Sequence, residues 1–248
     1  MFASSPSAFD PSVTSDSSID PLGLYGFSDG LSSKLVPGVR ERMSIPRFMT
    51  AMAVGARLCE PFRNRIAKDG RSEPYQVFEW HMVMGWYTDF RDTDEIRGLP
   101  GVQKAEEAWG QNNRLDAVRY LKTANVFGFH GVYRTLADEL GIVDSEYRLG
   151  PLGEELLVAW QMGSEIRLED SKWKERTLKF QGALEESLKE GRVSRDWRWD
   201  VHRAFAEVLL PHRSTPAESE VILRGLKTGS DGRQAFVEFM QGAGGAIW

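Results

Sequence analysis

This sequence predicts a mainly α-helical protein, on three observations. Helix caps and stops recur along the 248 residues, apolar residues recur at three- and four-residue spacing, and no long apolar/polar alternation marks a strand. Apolar residues make up 41% and charged residues 27%, so most of the chain is expected to be ordered. The length allows one large domain or two to three small ones.

Residues 1–19, MFASSPSAFDPSVTSDSSI, hold seven Ser and two Pro with no apolar run and no basic start. They predict a disordered tail rather than a signal peptide. Asp20-Pro21 then suits a helix start, although Gly23, Gly26 and Gly30 weaken that helix. Pro46 opens RFMTAMAVGARLCEPF, with Phe48, Met49, Met52 and Gly55 or Ala56 at helical spacing, and Pro61 ends or bends it. The near-apolar window at 48–56 is far short of the roughly 20 residues that a membrane-spanning helix needs, so no such helix is expected. Cys59, the single cysteine, cannot form an internal disulfide and reads as a buried thiol, which suits a cytoplasmic protein.

Tyr75 to Phe90 is apolar on nearly all sides, which predicts a helix buried between others. Its Phe78, Trp80, Met82, Val83 and Trp86 read as core rather than as a cofactor box. Trp173, Phe180, Leu184 and Leu188 share one side of a helix that Gly191 stops, and Ser194 caps a helix that Pro211 ends. Thr215-Pro216-Ala217-Glu218 is a capping box, in which hydroxyl and carboxylate satisfy free amides reciprocally. A last helix begins at Ser230 or Asp231.

Between these parts, Phe129, Val132, Tyr133, Leu136, Ala137 and Leu140 form one buried helix face, leaving His130, Gly131, Arg134, Thr135, Asp138 and Glu139 outward. Gly141 ends that helix, IVDSEYRL offers a small β-hairpin, and GPLGEELLVAW restarts a helix. Helix, hairpin, helix is the order of elements at the end of a winged helix-turn-helix, and LGIVDSEYRLGPLGEELL resembles that part of bacterial winged-helix regulators. The expected architecture is therefore a multi-helix protein containing a winged helix-turn-helix with a short β-hairpin wing. Its expected divisions are an N-terminal helical domain with a basic face at 20–110, the winged helix at 111–165, and a C-terminal helical domain at 166–248.

The resemblance implies DNA contacts: His130, Arg134 and Thr135 in a major groove, Arg148 on the wing, and Arg119 and Lys122 on the preceding helix. Charge opposes it, because residues 111–160 carry five Lys or Arg against seven Asp or Glu. Carboxylates near phosphates weaken binding. The whole chain has net charge −5, yet residues 34–71 carry nine Lys or Arg against three acids, an excess of +6 that leaves −11 elsewhere. Arg40, Arg42, Arg47, Arg63 and Arg65 in that stretch are thus candidates for a phosphate-facing or partner-facing surface, and a solvated helix face is the alternative.

No catalytic constellation emerges. GFSDG at 26–30 matches the pattern of a nucleophile elbow around Ser28 but lacks a preceding strand. Asp170 and Lys172 form a D-x-K pattern of the kind found in metal-dependent nucleases, also without strands. The acids Asp89, Asp92, Asp94 and Glu95 lack calcium-loop spacing, and His81, His130, His202 and His212 lack zinc spacing. No cofactor or metal is therefore expected. The segments DPLGLYGFSDGLSSKLVPGVRERM and YLKTANVFGFHGVYR resemble accessory proteins encoded with bacterial antiphage defence systems. That resemblance implies a non-enzymatic, DNA-associated or assembly subunit of a multi-protein system, working with a helicase, nuclease or methyltransferase. A winged-helix transcriptional regulator and a metal-dependent nuclease component are the alternatives.

Overall fold

A computed structural model describes residues 24–39, 43–111, 114–120, 128–193, 199–229 and 231–243. The expected tail at 1–19 lies outside them, as do Arg40, Arg42 and Lys122. The described chain is mainly helical: α1 (Leu24–Leu35), α2 (Arg47–Cys59), α3 (Pro74–Phe90), α4 (Val102–Gly110), α5 (Phe129–Glu139), α6 (Pro151–Gly163), α7 (Ser171–Glu190), α8 (Trp199–Val208), α9 (Pro216–Lys227) and α10 (Asp231–Ala243). Short 3₁₀ turns follow α2 at Glu60–Phe62 and precede α4 at Asp94–Ile96. None of these helices is long and apolar enough to cross a membrane.

Local chemistry sets several boundaries. Pro74 and Pro216 occupy first-turn positions, where a missing amide costs nothing. At α9 the capping box forms, with the Thr215 amide donating to Glu218 Oε2 at 2.9 Å and the Glu218 amide donating to Thr215 Oγ1 at 3.4 Å. Gly191 stops α7 in the left-handed conformation, at φ 72°. GFSDG falls within α1, so Ser28 is not on a strand-to-helix turn.

The centre of the fold is α2 crossed by α3. Every residue of α2 except Arg57 is buried, and α3 is buried from Pro74 to Trp86 apart from Gln76. A helix surrounded on all sides needs close approaches, and Gly55 supplies one: a Cβ there would lie 2.8 Å from the Phe78 ring. Around this pair, α5, α6 and α7 pack on α2, α4 and α8 pack on α3, and α9 packs on α6. One continuous core takes residues from each part of the chain, from Phe48 and Trp86 through Phe129 and Trp160 to Phe205. Phe48 and Phe129 stack at 5.1 Å, joining α2 to α5.

The segment expected to be a β-hairpin wing does not form a stranded hairpin. Among the described residues it contains no strand, only an isolated antiparallel bridge between Val143 and Leu149. The turn between them is closed by Asp144, whose Oδ1 accepts from the Glu146 and Arg148 amides at 2.9 and 2.8 Å. Tyr147 sits in it at φ 61° and is buried, stacking on Tyr75 of α3 at 4.5 Å. The turn therefore folds onto the helices instead of projecting from them.

Candidate functional site

The predicted contact residues do not form one outward face. Arg47 is 2% exposed and links three elements. Its guanidinium donates to the Val208 carbonyl at 2.9 Å and to the Arg213 carbonyl, and it pairs with Glu218 at 3.1 Å. Thr50 Oγ1 donates to the other Glu218 oxygen at 2.6 Å, so this cation holds α2 to the start of α9 and is not a surface contact. Burial pulls its pKa below the usual arginine value, and the neighbouring Glu218 carboxylate opposes that shift.

The exposed cations have acidic neighbours. Arg63 lies 3.8 Å from Glu60, Arg65 bonds Glu185 at 2.9 Å, and Arg119 bonds Asp116 at 2.5 Å. Arg148 lies 3.8 Å from Asp144 and also meets Glu146. Arg134 is half-buried: it donates to the Tyr75 hydroxyl at 2.9 Å and to the Ser145 carbonyl at 2.7 Å, across the turn that follows its own helix. Of the predicted reading face of α5, Thr135 is exposed beside Asp138 and Glu139, whereas His130 is buried. The cause is that α5 has a second packed flank. One side meets Phe48 of α2, and the flank expected to face solvent meets α3 and the 144–148 turn.

On that flank the structure assembles a site that the spacing of apolar residues does not reveal. Glu79, 2% exposed in the middle of α3, aims its carboxylate at the N-terminus of α5. Oε1 accepts from the Tyr120 hydroxyl at 2.5 Å and the Phe129 amide at 3.1 Å. Oε2 accepts from the His130 amide at 3.2 Å and contacts His130 Nδ1 at 2.5 Å. A buried carboxylate is costly unless it is paired and hydrogen-bonded. Here the partners are two otherwise unsatisfied first-turn amides, at the end of the helix dipole that favours negative charge. Gly128 makes the approach possible, because a Cβ there would lie 2.0 Å from Oε1.

The surroundings set the protonation chemistry. A carboxylate is the acceptor in the Nδ1 contact, so Nδ1 carries the proton and the neutral ring leaves Nε2 as an acceptor. Burial lowers the His130 pKa and Glu79 opposes the shift. Tyr120 is raised well above 10, first by burial and then by Glu79, and burial pushes Tyr75 up to about 12. A small pocket of about 20 Å³ adjoins this cluster, and Glu79 and His130 themselves line it with Tyr75, Trp80, Tyr120 and Arg134 among others.

The other candidate patterns remain apart. Asp170 and Lys172 are exposed at the start of α7, and Glu95 of the acidic loop pairs with Arg213 at 2.7 Å. His81 and His202 stack at 4.8 Å in the core, with His81 Nε2 2.9 Å from Ser187 Oγ, while His212 is exposed. Among the described residues no group of three or more His, Cys, Asp or Glu is placed to hold a metal ion. No protein-family model, curated protein or solved structure matches this chain.

Proposed function

We propose that this chain is a non-enzymatic assembly subunit that docks a larger protein, and that α5 serves that contact rather than DNA reading. The observation that carries the reading is Arg134, held between the Tyr75 hydroxyl and the Ser145 carbonyl. A helix that reads a major groove turns its cations outward, and phosphate neutralisation supplies much of the affinity. The exposed residues of α5 are instead Thr135, Asp138 and Glu139, whose two carboxylates repel phosphate and suit a basic protein surface. We read Phe129–Gly163 as a winged-helix derivative whose wing has shortened to a turn bracing the helix.

The partner implied by the antiphage resemblance is a helicase, nuclease or methyltransferase of a bacterial defence system, met in the cytoplasm. In that assembly the enzyme supplies the grip on DNA, and this subunit supplies position. The test is co-expression with a helicase, nuclease or methyltransferase of a bacterial defence system, followed by size-exclusion chromatography and duplex-binding titrations at low salt. The proposal expects a complex of fixed stoichiometry that the double variant Asp138→Lys/Glu139→Lys disrupts without loss of folding. It fails if no complex forms and the isolated chain binds one duplex sequence in preference to others.

A further inference from the structure

We propose that the outer face of α10, with α1 beside it, is the surface that binds a second copy of this chain, a contact that does not depend on the role of α5. Gly232, Ala235, Phe236, Phe239 and Met240 recur at three- and four-residue spacing and make one apolar stripe along α10. Such a stripe ordinarily packs on the core, yet the described residues of this helix that are buried are Arg233 and Val237. The stripe is turned outward instead: Phe239 and Met240 are 63% and 46% exposed, Gly232 and Ala235 are exposed, and Phe236 is half-buried. Helix α1 packs against α10 and adds Leu24 and Phe27, 62% and 73% exposed.

The size, charge and shape of this face fit an identical partner. At about 200 Å² for each large side chain, Leu24, Phe27, Phe239 and Met240 leave on the order of 450 Å² of apolar surface in water. A stable interface covers about 800 Å² per partner and a homodimer makes about 65% of it apolar, so the exposed area is close to what one copy contributes. A two-fold contact sets residues near its axis beside their own mates, where like charges would repel. The stripe carries no charge, and Glu238 stands on the polar edge, where its Oε1 accepts from Gln234 Nε2 at 3.0 Å. Lys and Arg, which a membrane surface or a nucleic acid would require, are missing from the described exposed residues of α10. The stripe also runs from small residues at Gly232 and Ala235 to large ones at Phe239 and Met240. Two antiparallel copies about a perpendicular two-fold axis set each small end against a large one, and the space around Gly232 is open to receive it.

The whole chain in solution carries the test. Light scattering at about 100 μM, well above the micromolar limit for interfaces of this size, is expected to give twice the 28.0 kDa of one chain. Hydrogen exchange of the wild type is expected to slow in α1 and α10 as concentration rises through the dimerisation range. Phe239→Glu/Met240→Glu replaces exposed side chains and is expected to give a folded monomer by circular dichroism and light scattering. A wild-type mass other than the dimer's, exchange that concentration leaves unchanged in both helices, or a folded double variant that stays dimeric would each overturn the proposal.

Discussion

His130 Nδ1 lies 2.5 Å from Glu79 Oε2, and this contact ties the start of α5 to the middle of α3. It joins two residues that are both buried, and the same carboxylate receives the Phe129 and His130 amides. The helix that resembles a DNA reader is thereby fixed by its N-terminus, the end that a reading helix presents to bases.

Glu79→Gln keeps the shape of the side chain but replaces one acceptor oxygen with a donor. It opposes two donors on His130 or two at Tyr120 and Phe129, so a loss of about 3–5 kcal/mol is expected in denaturant unfolding. A variant as stable as wild type would show that the carboxylate does not anchor α5.

Gly128→Ala tests the same joint from the other side. The added methyl would lie 2.0 Å from Glu79 Oε1, so the carboxylate or the helix must move. Both single variants are expected to destabilise, and the double variant by less than their sum, because they damage one contact. Additive losses in a double-mutant cycle would mean that the two residues act separately.

Arg47→Ala leaves Glu218 buried without its cation and is expected to cost about 3–5 kcal/mol in thermal or denaturant unfolding. Arg63→Ala and Arg65→Ala, at exposed pairs, are expected to cost only a small fraction of that. Equal effects would contradict the division of the basic stretch into a buried clamp and a solvated surface.

Acid should loosen the core through His81 and His202. Burial lowers His81 to about 3 and His202 well below its ordinary value of 6.5, where the neighbouring His81 adds to the shift. Below 6.5 the unfolded chain therefore binds more protons than the folded one. Their contribution is complete above about pH 6.5 and falls as pH drops toward 3, by about 1.4 kcal/mol per pH unit for each imidazole. Denaturant midpoints measured across that range check the slope, and His202→Leu is expected to flatten it.

Much of the helical layout is legible in the sequence because its signals are local. Thr215-Pro216-Ala217-Glu218 carries its own capping chemistry, and the stripe Phe129, Val132, Tyr133, Leu136 identifies the main buried face of α5. The site is less legible because its partners are distant in sequence. Glu79 is a lone acid in the apolar run VFEWH, which is a signal for a buried carboxylate, but nothing local points to Tyr120 or Gly128. Arg47 adds to an apparent basic surface because charge excess along the chain is blind to a carboxylate that the fold brings from Glu218. Helical periodicity turns His130 and Arg134 outward because it marks one packed side, and α5 has two.

Arg134→Ala is the most direct test of the central claim, with stability and duplex binding measured on the same protein at low salt. The account predicts loss of the Tyr75 and Ser145 contacts, a modest fall in stability of about 1–2 kcal/mol, and no sequence-selective change in DNA affinity. Unchanged stability together with weakened binding to one preferred sequence would contradict it and return α5 to the role of a DNA reader.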